Sequence, residues 1–171
     1  MTTFSDAPAV LCLDLPDPEA TEALGHALAA TLPAFAAVHL HGDLGAGKST
    51  LARALLRALG VQGAIRSPTY TLVERYPVPG GEAWHLDLYR IGDAGELDFL
   101  GLDEQAPALW LVEWPERGRG ALPAADLLVT LTPDAGGGRQ VRLEAASAAG
   151  RGWLGQLAAL PQLRTFPAAS P

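Results

Sequence analysis

The sequence of 171 residues contains no asparagine, one cysteine, Cys12, and one lysine, Lys48, beside eleven arginines. A single cysteine cannot form an intramolecular disulfide. No uninterrupted apolar run approaches the roughly 18 residues of a membrane-spanning helix, which excludes a membrane-inserted protein. The first residues also lack the basic flank and apolar run of a secretory signal. Together these absences predict a cytoplasmic protein without membrane partners.

The composition predicts one folded domain over residues 1–171. Apolar residues make up 49% of the chain and charged residues 18%, which is not typical of a disordered protein. Only the end of the chain, residues 165–171, is predicted to be frayed or disordered. The formal net charge is -7. This charge argues against direct binding of nucleic acid through a basic surface, so any contact with RNA is expected to be indirect, through a partner.

Hydrophobic periodicity predicts an α/β fold. Segments with leucine at helical spacing lie between the first predicted strands. The later predicted strands form hairpins around glycine-rich turns. This order predicts a three-layer domain with a mixed, mainly parallel sheet and antiparallel hairpins. The predicted strands are Val10–Leu15, Ala36–His41, Thr71–Val78, Ala83–Tyr89, Leu109–Trp114, Asp126–Thr132 and Gln140–Ala145. Helices are predicted after Asp17, after Lys48, over Gly92–Leu102 and around Trp153, the last one stopping at Pro161.

A phosphate-binding loop follows the second predicted strand. Residues 42–49 read Gly-Asp-Leu-Gly-Ala-Gly-Lys-Ser, which fits the pattern G-x-x-x-x-G-K-[ST]. Glycines let backbone N–H groups approach phosphate oxygens at the positive end of the next helix. The predicted domain is therefore a P-loop NTPase. The residues whose backbone is expected to bind phosphate are Asp43, Leu44, Gly45, Ala46, Gly47 and Lys48.

Three side chains at the end of this loop have predicted roles. Lys48 is expected to bridge the β- and γ-phosphates, as a catalytic residue, and Ser49 to ligate Mg²⁺. Thr50 is expected to contact the α-phosphate. It also stands where a dinucleotide fingerprint would need its third glycine, which excludes that fold. Without asparagine or a second lysine, the chain cannot contain the Asn-Lys-x-Asp segment that reads guanine, so ATP is favoured.

Two carboxylates on predicted strands are candidates for the metal and for catalysis. Glu113 ends an apolar strand, where it could ligate Mg²⁺ or orient the attacking water. Asp87 is predicted to lie mid-strand and to reach the metal through a bound water. Thr69 belongs to the segment after the phosphate-loop helix, where its hydroxyl could sense the γ-phosphate. A plain turn at Pro68 that starts a strand explains this segment equally well.

Four motifs in this order resemble those of the bacterial TsaE (YjeE) family. They are Gly42-Asp-Leu-Gly-Ala-Gly-Lys48, Ser67-Pro-Thr-Tyr-Thr-Leu-Val-Glu74, His85-Leu-Asp-Leu-Tyr-Arg90 and Leu111-Val-Glu-Trp-Pro115. The resemblance runs from about Leu15 to Arg142. It implies a small ATPase required for threonylcarbamoyladenosine at position 37 of tRNA. The implied partners are TsaB and TsaD, with TsaD as the transferase and tRNA reached only through the complex.

The same resemblance implies further site residues. The pair Gly138-Arg139 matches a Gly-Arg pair of the family, which makes Arg139 a candidate for nucleotide contact. Pro18 and Thr21 match, more weakly, the region on the adenine side. Ser49 stands where the family usually has threonine, and either hydroxyl can ligate Mg²⁺.

Two other functions fit the phosphate loop. A P-loop kinase for small molecules would need an acceptor pocket and an arginine-rich lid, and no lid insertion is evident in the sequence. A module that binds nucleotide without hydrolysing it would not need Glu113. The ATPase is therefore the preferred hypothesis, with slow turnover expected in the absence of partners.

Overall fold

A computed structural model describes residues 7–167 of the chain. Within this part, no helix is both long enough and apolar enough to cross a membrane. The strands are β1 (Val10–Leu15), β2 (Ala36–His41), β3 (Val73–Val78), β4 (Gly81–Asp87), β5 (Leu109–Glu113), β6 (Leu127–Pro133) and β7 (Arg139–Ala145). The α-helices are α1 (Pro18–Ala30), α2 (Lys48–Ala58) and α3 (Ala148–Ala158), and short 3-10 helices cover Ala94–Leu100, Pro115–Gly118 and Pro161–Thr165.

The strands form one mixed sheet in the order β1-β7-β6-β2-β5-β4-β3. Strand β2 lies at its centre, parallel to both β5 and β6, and β5 is also parallel to β4. The pairs β1–β7, β6–β7 and β3–β4 are antiparallel. The predicted mixed sheet and its two hairpins are confirmed, although parallel and antiparallel pairs occur in equal number rather than mainly as parallel pairs.

All three α-helices pack on one face of the sheet. Side chains alternate along each strand, and the alternate residues on this face, such as Val38 and Leu111, form one core with the leucines of the helices. The opposite face carries a second core over β4 and β5, which includes Trp84 and Leu86. The 3-10 helix Ala94–Leu100 contributes Leu97 to it. The third layer of the predicted domain is thus made of short 3-10 segments rather than α-helices.

The ends of several predicted elements differ from the structure. The acidic segment predicted as a helix over 92–102 is a shorter 3-10 helix, with Asp93 and Glu96 forming a capping box. The last α-helix ends at Ala158, before Pro161. The prediction of a frayed tail from residue 165 is wrong for its first residues: Thr165 ends a 3-10 helix, and the Pro167 carbonyl accepts a bond from the Asp14 N–H. Residues 168–171 lie outside the described part.

Gly25 marks a close approach of α1 to α2. A Cβ atom there would lie 2.6 Å from the Cβ of Ala54 and 2.9 Å from backbone atoms of Ala54 and Leu55. Alanine stabilises an open helical position by about 1 kcal/mol relative to glycine. Over-packing against an unyielding neighbour costs about 1–3 kcal/mol. Because backbone atoms block the new methyl group, we expect Gly25→Ala to lower the free energy of unfolding, by about 2 kcal/mol.

Gly152 in α3 offers the matched control. A Cβ there would meet no atom of the described residues within 4 Å. Gly152→Ala should therefore raise the free energy of unfolding by up to about 1 kcal/mol. Urea unfolding followed by circular dichroism measures both variants. Equal stability of the two would contradict the close packing of α1 on α2.

Candidate active site

A cleft of about 370 Å³ opens where β2, β4 and β5 end. These strands are parallel, so their carboxyl ends meet at one edge of the sheet, which is where open α/β sheets bind ligands. Most of the residues predicted from the sequence to bind nucleotide or metal line this cleft. Its lining consists of Leu44, Gly45, Gly47, Lys48, Ser49, Thr50, Ser67, Thr69, Asp87, Tyr89, Arg90, Glu113, Trp114 and Arg139.

The phosphate loop joins β2 to α2 through backbone that favours glycine. Gly42, Gly45 and Gly47 have φ angles of 144°, 77° and 107°, which side-chain-bearing residues rarely adopt. Gly47 is the N-cap of α2 and, among the described residues, no side chain caps this helix. The N–H groups of its first turn thus remain available to an anion, at the positive end of the helix dipole.

Three other residues of the loop, Asp43, Leu44 and Ala46, have side chains. The side chain of Ala46 is fully buried in the core, so that only its backbone could meet a ligand. The side chain of Leu44 is 64% exposed at the mouth of the cleft. Asp43 uses its carbonyl inside the loop, where it accepts from the Ala46 N–H at 3.1 Å.

The Lys48 ammonium lies folded against its own loop. It donates to the carbonyl oxygens of Gly42 and Asp43, at 2.5 and 2.8 Å, and lies 4.6 Å from the centre of the Trp114 ring. Burial lowers the pKa of Lys48 below its ordinary value, while the carboxylates of Glu113 and Asp87 act in the opposite direction. An ammonium has three N–H donors. The loop carbonyls use two, which leaves one for a phosphate oxygen.

Ser49 and Glu113 form a pair of oxygen donors beside the loop. The Ser49 hydroxyl donates to both carboxylate oxygens of Glu113, at 2.8 and 3.1 Å, and Glu113 is only 2% exposed. Asp87 is level with Glu113 in the register of β4 and β5. Mg²⁺ prefers such oxygen ligands and commonly takes one or two carboxylates with phosphate and water. The donor set of this site therefore suits Mg²⁺ bound together with a phosphorylated ligand.

Residues 7–167 contain no cluster of three or more His, Cys, Asp or Glu side chains that could hold a metal by themselves. Such clusters are typical of sites that enclose their ion completely. The pair of carboxylates described above would instead leave several positions around an ion for the ligand and for water.

The expectation that Asp87 lies mid-strand is wrong. Asp87 is the last residue of β4, opposite Glu113, and it is 7% exposed. Its carboxylate accepts from the Tyr89 N–H at 3.0 Å and from the Thr69 hydroxyl at 3.4 Å. Thr69 also lies 2.9 Å from the Ser67 hydroxyl. The structure thus brings the hydroxyl-bearing segment and the second carboxylate together on one side of the cleft.

A smaller cavity of about 150 Å³ adjoins the cleft. Pro18 and Thr21 of α1 line it, and Gly47, Thr50 and Arg139 line both cavities. Arg139 spans the boundary and donates to the Gly45 carbonyl at 3.3 Å. The residues expected on the adenine side therefore line a cavity that shares three lining residues with the cavity of the residues expected around phosphate.

Sequence reasoning missed two residues of this site. His85 is fully buried and donates from Nε2 to Glu113 at 2.8 Å. The available signal was its position two residues before Asp87, which places both side chains on the same face of β4. Trp114 directly follows Glu113, and its ring lies against Lys48, with the backbone at a φ of 57°.

Comparisons with known proteins identify the family of this chain. A family model described as "Threonylcarbamoyl adenosine biosynthesis protein TsaE" matches residues 15–141. The tRNA threonylcarbamoyladenosine biosynthesis protein TsaE of Haemophilus influenzae is 50% identical over 96 residues, which cover 55% of this chain and 61% of that protein. The protein of the same name from Nostoc is 38% identical over 135 residues, covering 75% and 82% of the two chains.

The fold has a relative among solved structures. The crystal structure of Bacillus subtilis YdiB matches with a TM-score of 0.74 at 26% identity, and the match covers 87% of this chain and 94% of that one. The family model spans all four motifs and all of the residues that line the cleft. With the sequence and the fold in agreement, the chain belongs to the TsaE family.

Proposed function

We propose that this protein is a Mg²⁺-dependent ATPase that serves the formation of threonylcarbamoyladenosine on tRNA. The observation that supports the activity is the pairing of Ser49 with Glu113 directly beside Lys48, at the start of an uncapped helix. The names of its relatives in Haemophilus influenzae and Nostoc support the pathway. A site for phosphate alone would not need a buried carboxylate next to the loop, because the carboxylate would repel the anion.

The chemistry follows from the charges of the cleft. Phosphoryl transfer to water requires positioned phosphates, an oriented nucleophile and compensation of the developing charge. Backbone N–H groups of the loop and the Lys48 ammonium would hold the β- and γ-phosphates. Mg²⁺, ligated by Ser49 with Glu113 and Asp87 nearby, would supply electrostatic stabilisation of the phosphate charge. Glu113 would also orient the attacking water, and Arg139 would contact the phosphates or the sugar from the boundary of the two cavities.

Calorimetry with ATP and Mg²⁺, followed by an assay of phosphate release, tests this proposal. We expect saturable binding of ATP in preference to GTP, and slow release of inorganic phosphate. Label from γ-labelled ATP should appear in phosphate and not in added nucleosides or small alcohols. Transfer to such an acceptor would instead favour a small-molecule kinase. Absence of measurable ATP binding would refute the proposed function altogether.

The partners are proposed from the family resemblance. TsaB and TsaD are expected to bind this protein in a manner that depends on its nucleotide, which a pull-down with and without ATP measures. The net charge of -7 predicts that the isolated chain binds tRNA weakly. A gel-shift experiment should show retention of tRNA only when the partners are added. Tight, salt-sensitive retention by this chain alone would contradict the indirect role.

A further inference from the structure

His85 occupies a position where the fold itself needs no polar side chain. The imidazole is 0% exposed on β4, opposite Leu111 of β5. Its Nε2 bonds to Glu113, whereas its Nδ1 is buried and has no hydrogen-bond partner among the described residues. A buried polar atom without a partner costs stability. An apolar side chain of similar size would avoid this cost, so the interaction with Glu113 is the reason that the structure offers for an imidazole here.

The Glu113 carboxylate accepts hydrogen bonds from few side chains. Its carboxylate is almost completely buried, and such a group must accept hydrogen bonds to offset lost hydration. Within the described residues, two side chains donate to this carboxylate. The Ser49 hydroxyl makes its shorter contact at 2.8 Å, and His85 Nε2 makes its contact at 2.8 Å. Since a carboxylate can only accept, Nε2 carries the hydrogen. The two donors approach the carboxylate from different elements, α2 and β4, and together fix its plane.

On the basis of the proposed ATPase function, we propose that His85 is a positioning residue for hydrolysis. It holds the Glu113 carboxylate toward Ser49 and the phosphate loop, in the orientation needed to direct water at a bound phosphate. His85 lies beneath Glu113, on the side away from the cleft, and is not among the residues that line it. It therefore acts through Glu113 and not on the ligand.

Two substitutions of His85 by side chains of nearly equal size distinguish a positioning role of its Nε2–H from a role in core packing alone. Glutamine places an amide N–H donor close to where Nε2 lies, whereas methionine has the same reach without a donor. We expect His85→Met to lower kcat by about 10–100-fold, the range measured for partners that orient metal ligands. Affinity for ATP measured without Mg²⁺ should be unchanged. His85→Gln should recover most of the lost turnover.

His39 on β2 is the matched control. It is partly buried and bonds to a backbone carbonyl, that of Pro123, on the opposite face of the sheet from Glu113. His39→Met and His39→Gln should have equal kcat. If the two His85 variants also turn over ATP equally, the donor is irrelevant and the inference is overturned. Melting temperatures of all four variants separate loss of fold from loss of positioning.

A spectroscopic measurement tests the contact without any turnover. The His85 Nε2–H proton in the unliganded protein, assigned through its loss in His85→Gln, should resonate far downfield because it bonds to a charged acceptor. Glu113→Gln should move this resonance upfield. A resonance that does not move would overturn the inference. A protein that shows the expected shift but hydrolyses no ATP would refute the proposed function and leave the contact between His85 and Glu113 established.

Discussion

Replacing Lys48 with alanine is expected to abolish measurable binding of ATP. Lys48 is the single lysine of the chain and is 5% exposed, between two loop carbonyls and the Trp114 ring. Hydrogen bonds to a charged partner contribute about 1.5–3 kcal/mol each. Loss of the one such bond that remains for a phosphate oxygen corresponds to an affinity loss on the order of 10-fold to 100-fold, and loss of the ammonium charge beside the triphosphate adds to it. Calorimetric titration with ATP and Mg²⁺ measures this loss.

Two further variants serve as controls for the charge and for the shape of the Lys48 side chain. Arg53→Ala removes one positive charge from the exposed face of the same helix and should leave ATP affinity nearly unchanged. Lys48→Arg keeps the charge but replaces a compact ammonium with a planar guanidinium, which the space between the Gly42 and Asp43 carbonyls does not suit. We expect it to rescue little. Binding by Lys48→Ala within tenfold of the original protein would show that this loop is not the phosphate site.

Replacing Glu113 should separate binding from turnover. Glu113→Gln retains an oxygen that can accept from the Ser49 hydroxyl, but it has neither negative charge nor basicity. A positioned acid or base contributes about 10²–10⁴-fold to a reaction rate. We therefore expect Glu113→Gln and Glu113→Ala to bind ATP while kcat falls at least about 100-fold. Single-turnover release of phosphate, compared with calorimetric affinity, measures the two quantities independently.

Asp87→Asn provides the comparison. In the original protein the Asp87 carboxylate accepts from the Tyr89 N–H and the Thr69 hydroxyl. The asparagine amide keeps one acceptor oxygen in place, so the variant should remain folded. A loss of turnover smaller than that of Glu113→Gln is expected if Asp87 reaches the metal through water. Undiminished hydrolysis by Glu113→Ala would remove Glu113 from the mechanism, and with it the proposed role of His85.

Local patterns were sufficient to predict the phosphate loop and the first strands. The predicted bounds of Val10–Leu15 and Ala36–His41 agree with β1 and β2. Asp17 caps α1, as the sequence indicates, by accepting from the Ala20 N–H at 2.8 Å. These features depend on neighbours in sequence: alternation of apolar residues, a side chain that bonds three residues ahead, and glycines that permit positive φ.

Features that depend on pairing between distant segments could not be predicted. Periodicity indicates that a helix has a buried face, but not on which side of the sheet it packs, and all three α-helices lie on one side. The end of β4 at Asp87 is set by its pairing with β5. The bond between His85 and Glu113 joins residues 28 positions apart. No pattern within either strand reveals it.

The pairing of β4 with β5 limits which changes of length the protein can tolerate. His85 and Asp87 lie on the same face of β4 because a single residue, Leu86, separates them. Deleting Leu86 would make the two residues neighbours and place their side chains on opposite faces of the sheet. An added residue at Gly80, in the turn itself, would leave them in place. Insertions among natural variants should therefore accumulate at the hairpin tip, while the segment that follows keeps a constant number of residues.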